Sequence, residues 1–198
     1  PLSLCRRMVL CRAMQKDQTR AMTEMWVFGY GSLIWNPEFP VAERRLARLA
    51  GWRRSFCMRS VHHRGSEADP GLVLALDRAE GEACDGVAFR VEAGAEEATL
   101  AALRARELVS SAYREEWLEV EAGAARLRAL AYVIEREHVQ YCGGLPLEEQ
   151  ARIIAKATGG RGLNRDYLFA TAAHLSDLGL ADPDLDWLAA RVREISHL

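Results

Sequence analysis

No apolar stretch in this chain approaches the roughly 20 residues that a membrane-spanning helix needs. Neither sign of charge dominates: 26 lysines and arginines stand against 28 aspartates and glutamates, for a net charge of −2. No long basic tract occurs after residue 20. Neither nucleic acid nor an anionic membrane is therefore expected as a partner. The five cysteines (Cys5, Cys11, Cys57, Cys84 and Cys142) are odd in number and include no CxxC spacing. That argues against a disulfide framework or a zinc site and points to a reducing compartment, the cytoplasm. Internal repeats and low-complexity segments are lacking too. What remains is an ordinary globular composition over 198 residues, a length that suits one domain with a substantial core.

Residues 1–24 stand apart. Arg6, Arg7, Arg12, Lys16 and Arg20 face only Asp17 and Glu24. The segment reads as a disordered or non-native extension, with an Arg-rich organellar transit peptide as the alternative. The single domain is expected over residues 25–198.

Within that domain the pattern changes near residue 145. Before it come short β-like runs: Trp26–Phe28, Phe56–Arg59, Leu72–Leu76, Gly86–Val91, Glu116–Glu121 and Leu127–Ile134. Alternation in the fourth places Val87, Phe89 and Val91 on one face. A helix is expected over Ala95–Val109 ahead of the change, and helices dominate after it. Leu147–Thr158 is expected to close at Gly159-Gly160, and Asn164 to act as N-cap of a helix through Leu178 with Gly179 at C′. Asp182-Pro183 opens a last helix whose Leu185, Leu188, Val192 and Ile195 form one apolar stripe. Strands followed by helices predict an α+β fold.

Two features suggest chemistry. Trp26-Val27-Phe28 reads as a buried strand running into Gly29-Tyr30-Gly31-Ser32, where two glycines allow close approaches that side chains forbid. Such a strand-to-loop edge can aim backbone N–H groups at an anion or oxyanion. The second is Glu107, seven residues after Leu100 and four after Leu103, which puts a carboxylate on the apolar face of its helix. Buried there, it must be paired or change its ionisation. A general acid–base near neutrality and a structural ion pair with Arg104, Arg106 or another arginine both fit the pattern.

Tyr30-Gly31-Ser32-Leu33 after an apolar strand resembles the signature of the γ-glutamylcyclotransferases. The longer Phe28 to Trp35 run, with Pro37, Phe39 and Pro40, resembles their ChaC-like, glutathione-specific branch. Gly51-Trp52-Arg53-Arg54-Ser55-Phe56, His63-Arg64-Gly65, Pro70-Gly71-Leu72-Val73, Gly86-Val87-Ala88-Phe89-Arg90, Arg106-Glu107 and the Asn164–Gly179 stretch follow in the matching order. The resemblance covers roughly residues 25–195. It implies a small, strongly curved mixed β-barrel flanked by helices, and a lyase-type acyl transfer that closes a γ-glutamyl group into 5-oxoproline. For glutathione the leaving product is Cys-Gly. Arg106-Glu107 followed by Tyr113 matches the family's essential glutamate, which makes Glu107 the expected catalytic residue. Phe28, Gly29, Tyr30, Gly31, Ser32, Leu33, Tyr113, Tyr141 and Arg64 are the expected substrate-binding residues; Arg64 could face the glycine carboxylate or belong to a surface loop, and a barrel-rim packing role is the alternative for Tyr141. No cofactor or metal is implied, the partner is the small-molecule substrate, and the protein is expected to be a monomer or weak dimer. Another γ-glutamyl amino acid or amine is the alternative substrate, and a non-catalytic regulator of the same fold the alternative role. Departures occur at Ser110-Ser111-Ala112 and at Cys142 to Pro146.

Other signals carry less. His62-His63 would point oppositely on a strand and lack further ligands nearby. His138 and Cys142 suggest a thiol–imidazole pair only by spacing, and Gly159-Gly160-Arg161-Gly162 reads as a helix stop and turn rather than a dinucleotide fingerprint.

Overall fold

Residues 24–197 are described by the structure, a computed structural model. The reading of residues 1–24 therefore falls outside the described residues apart from Glu24. Five strands close a barrel: β1 (Trp26–Gly29), β2 (Val41–Ser60), β3 (Gly71–Val91), β4 (Tyr113–Ala122) and β5 (Ala125–Ile134). They run in the order β1-β3-β2-β4-β5, and β5 returns parallel to β1. Most other pairings are antiparallel, so the barrel is mixed. Helix α1 (Glu96–Glu107) connects β3 to β4, and α2 (Leu147–Lys156), α3 (Asn164–Asp177) and α4 (Pro183–Ser196) follow β5. The α+β expectation and the flanked barrel are both borne out. No helix among the described residues is long and apolar enough to cross a membrane.

Two of the short runs expected on β3, Leu72–Leu76 and Gly86–Val91, are the two ends of one 21-residue strand. Its partner β2 has 20 residues and absorbs the curvature in register shifts at Val41/Glu43, Ala50/Trp52 and Ser55/Met58. Such bulges bend and twist a strand, which lets strands far longer than the usual five or six residues wrap round a small barrel. Alternating side chains supply two cores. Trp26, Phe28, Leu49, Trp52, Leu76 and Val133 fill the barrel, with Ala47, Ala88, Ala129 and Ala131 keeping it narrow. Val87 and Phe89 face outward instead, onto Leu168 and Leu175 of α3 and Leu188 and Val192 of α4. Ala88 between them is fully buried as well, because this segment of wall is covered on both sides.

The helix ends hold two corrections and two agreements. α2 stops at Lys156, and Ala157 is already extended. Thr158–Gly159 (β6) and Gly162–Leu163 (β7) then form a small hairpin, so Gly159-Gly160 is not a helix stop. Asn164 does not cap α3. It is the helix's first residue, and its fully buried amide donates to the Leu72 carbonyl and accepts from the Leu72 N–H, both at 2.7 Å. A side chain committed to the backbone of β3 has nothing left for its own helix. Gly179 does sit at C′, with the Gly179 and Leu180 N–H groups closing on the Ser176 and Leu175 carbonyls. Asp182 caps α4 by accepting the Leu185 N–H at 3.1 Å.

Candidate active site

α1 delivers Glu107 at its last turn, and Leu103 one turn earlier is buried against Val27, Leu130 and Tyr132 on the outside of the barrel. That anchoring aims the end of the helix at the loop after β1, where Ser32–Ile34 make one turn of 3₁₀ helix. Arg106 ties the two together. Its Nε lies 3.0 Å from Glu107 Oε1, its Nη2 donates to Ser32 Oγ at 2.7 Å, and its Nη1 donates to the Asn36 carbonyl and Glu38 Oε2 at 2.9 Å each. Arg106 is thus shared between two carboxylates and the loop.

Two adjoining cavities meet at this junction. The inner recess, about 40 Å³, is lined by Tyr30, Gly31, Ser32, Leu33, Leu74, Glu107, Tyr113, Tyr132 and Tyr167. Since a single water needs some 10–15 Å³ by a similar measure, it has room for a carboxylate-sized group. The outer cavity, about 390 Å³, adds Trp35, Asn36, Glu38, Ser60, His62, His63, Arg64, Arg106, Ser110 and Arg161 among others. Ser32, Glu107, Tyr113 and Tyr167 belong to both. A ligand spanning the two volumes would pass across Glu107.

Burial pushes the Glu107 carboxyl above its ordinary range; Arg106 and Arg161 pull it back, and Glu38 adds to the rise. Burial likewise raises the Tyr30 and Tyr113 hydroxyls well above their usual value. They remain protonated donors, Tyr30 to the Tyr132 carbonyl and Tyr113 to the Leu74 carbonyl, each at 2.7 Å. The backbone N–H groups of Gly31, Ser32 and Leu33 have no acceptor among the described residues. Gly31 brings the loop close to Tyr167: a Cβ there would lie 3.2 Å from the Tyr167 hydroxyl, tighter than ordinary contact.

The model of the family described as ChaC-like protein matches residues 25–195. The chain belongs to the ChaC-like family. Among its ChaC-like relatives, the glutathione-specific gamma-glutamylcyclotransferase of Escherichia coli (strain K12) is 34% identical over 172 residues, 86% of this chain and 74% of that protein. The glutathione-specific gamma-glutamylcyclotransferase 1 of Homo sapiens is 35% identical over 178 residues, 88% and 79% of the two chains. A crystal structure of the gamma-glutamyl cyclotransferase specific to glutathione from yeast superposes with a TM-score of 0.80 at 22% identity, covering 88% of this chain and 98% of that one. That likeness shows the shared fold.

Of the residues singled out in this ChaC-like sequence, Tyr30, Gly31, Ser32, Leu33, Glu107 and Tyr113 line the recess. Arg64 lines the outer cavity, but its Nη1 donates to the Arg161 and Leu163 carbonyls at 2.7 and 3.2 Å and its guanidinium lies 5.3 Å from the Tyr167 ring centroid. Phe28 is fully buried inside the barrel and Gly29 packs on Phe89 and Leu33; neither lines either cavity. Tyr141 also lines neither. Its hydroxyl donates to Oδ2 of the buried Asp77 at 3.0 Å, alongside Arg136. Glu38, Arg161 and Tyr167 are among the cavity residues that were not anticipated. A buried tyrosine hydroxyl on a helix wants a partner, and that was the one signal Tyr167 offered.

Proposed function

We propose that this chain is a glutathione-specific γ-glutamylcyclotransferase, releasing 5-oxoproline and Cys-Gly with Glu107 as its general acid–base. The observation that carries the reading is a single desolvated carboxyl standing where a carboxylate-sized recess opens into a cavity of small-molecule size. Relatives named for that activity, matched over most of both chains, supply the substrate.

The reaction is intramolecular. The α-amine of the γ-glutamyl group attacks its own γ-carbonyl, forming the ring C–N bond, and the bond to the cysteine nitrogen then breaks. At neutral pH the α-amine is mainly an ammonium. Glu107 takes its proton, and the same carboxyl then gives a proton to the departing nitrogen. A carboxyl raised by burial is better matched to both transfers than an ordinary one. The tetrahedral intermediate places negative charge on the former carbonyl oxygen. The free N–H groups from Gly31 to Leu33 supply fixed donors, either to that oxygen or to the α-carboxylate in the recess. Nucleophile and electrophile belong to one molecule, so the main task of the walls is to hold the substrate folded. Tyr30, Tyr113 and Tyr167 serve as those walls.

The test is incubation of the purified protein with glutathione and measurement of 5-oxoproline and Cys-Gly, with Glu107→Gln in parallel. Product from the wild type, with a loss of about 10²–10⁴-fold or more in the variant, is expected. An equally active Glu107→Gln protein would overturn the assignment.

A further inference from the structure

The outer cavity is lined by three arginines, Arg64, Arg106 and Arg161. Arg106 is held by Glu107, Glu38, Ser32 and the Asn36 carbonyl. Arg64 places its Nη1 on two backbone carbonyls and lays its guanidinium over the Tyr167 ring. Arg161 is different: among the described residues its guanidinium makes no hydrogen bond and no ion pair. His63, on the same wall, is pushed below its usual value by burial and by the nearby arginines, so it is neutral at neutral pH. On Arg161 the cavity therefore presents a guanidinium whose donors are unused and whose charge is felt by Glu38 and Glu107.

That charge is placed by a purpose-built support. Arg161 stands in the turn between β6 and β7. The hairpin is fastened to the loop after β2 by the Gly160 N–H to the His62 carbonyl at 2.8 Å and the Arg161 N–H to the His63 carbonyl at 2.9 Å. Arg64 closes the same contact from the other side through the Arg161 carbonyl. Gly159 lets the two backbones meet: a Cβ there would lie 2.5 Å from the Gly65 nitrogen and 2.6 Å from the Arg64 nitrogen. The backbone of Arg161 is thus pinned, while its guanidinium makes no hydrogen bond or ion pair among the described residues and interacts with Glu38 and Glu107 only through its charge.

We propose that Arg161 is a specificity residue that binds the terminal carboxylate of the leaving dipeptide, so that the enzyme prefers γ-glutamyl peptides with a free C-terminal acid over γ-glutamyl amines and esters. The inference rests on the cyclotransferase reading above. With the γ-carbonyl at Glu107, the leaving Cys-Gly extends about 7 Å further along the outer cavity, and its only charge at the far end is a carboxylate. A guanidinium fork matches that group bidentately. Arg64, the residue the sequence offered for this task, is instead held in place by its Nη1 on the Arg161 and Leu163 carbonyls and by its guanidinium over the Tyr167 ring, and acts as the strut beside Arg161.

The experiment compares glutathione with glutathione esterified at its glycine carboxylate, on wild-type, Arg161→Ala and Arg161→Lys proteins. For glutathione, Arg161→Ala is expected to raise KM roughly 10-fold, the low end for a charge-assisted pair open to water, with kcat little changed. Arg161→Lys, which keeps the charge and loses the fork, should fall between. The ester should be a poorer substrate for the wild type and be indifferent to Arg161→Ala, so that the variant treats acid and ester alike. Equal losses on both compounds, or a wild type that does not distinguish them, would overturn the assignment while leaving the cyclotransferase reading standing. A wild type that turns over neither compound would overturn both.

Discussion

Arg54 joins three parts of the fold at one buried point. Its Nε and Nη2 bind Asp182 Oδ2 at 2.9 and 2.8 Å, and its Nη1 donates to the Tyr30 and Asp85 carbonyls at 3.0 Å each. Its side chain is 4% exposed and that of Asp182 16%. The other oxygen of the same carboxylate caps α4. Arg54→Met fills a similar volume but leaves a buried carboxylate without its cation and two carbonyls without donors. Breaking such a pair from one side costs about 3–5 kcal/mol, which for a chain of this size lowers Tm by roughly 6–20 °C. The Tyr30 carbonyl lies at the entry to the recess loop, so kcat should fall as well, under conditions where the variant is still folded. Arg54→Lys keeps the charge but lacks the guanidinium fork that reaches three acceptors at once, and should recover only part of both losses. Thermal unfolding of the two variants, of Asp182→Asn and of the Arg54→Met/Asp182→Asn double variant forms the assay. The double variant should lose less than the sum of the single ones, because the uncompensated charge is gone. A loss below about 1 kcal/mol for Arg54→Met, or strict additivity, would refute the reasoning.

Burial holds the native Glu107 carboxyl above its ordinary value of 4.5, so ionising it costs the native state stability. Wild type and Glu107→Gln should therefore unfold alike below that value, and the variant should become the more stable as pH rises through the native value; a Tm gap that is constant with pH would contradict this. Glu38 raises the Glu107 carboxyl and shares Arg106 with it. Glu38→Gln should accordingly move the acid limb of the kcat/KM–pH profile to lower pH, and an unmoved or raised limb would count against Glu107 as the titrating group. Asn164→Ala leaves the buried N–H and carbonyl of Leu72 without their partners, at about 1–3 kcal/mol for each group in denaturant unfolding; a change within about 0.5 kcal/mol would place the Asn164 contact on the surface in effect.

Legibility in the sequence followed the range of the interactions. Asp182-Pro183 and Gly179 were readable because a cap closes within a few residues of itself. Glu107 was readable because helical spacing put a charge among leucines. The first half of β2 was not: Val41 to Arg48 reads as a charged, exposed run, and pairing with β3 rather than its own pattern makes it a strand. Asn164 was read as a cap because the local rule favours it, whereas a partner 92 residues away claims the side chain. Arg161 was discounted because nothing local says that its hairpin docks beside His62 and His63. The recess itself depends on Tyr30 reaching Tyr132 across 102 residues, a contact only barrel closure creates.

The arrangement at Glu107 also resolves an apparent conflict. An arginine next in sequence, 3.0 Å away, would ordinarily hold a carboxylate low. Three features of the site oppose it. Glu107 is the last residue of α1, where the negative end of the helix dipole disfavours a second negative charge. Arg106 divides its guanidinium among Glu107, Glu38, Ser32 and a carbonyl, so its charge is largely answered elsewhere. Burial beneath the Tyr30 loop then contributes the largest effect, and the carboxyl moves up rather than down. Arg106 is better understood as the tie that fixes where Glu107 stands than as the group that sets its charge. The cavity proposed to admit substrate is lined by the same buried Glu107, so the proposed access and the raised carboxyl would follow from one packing arrangement.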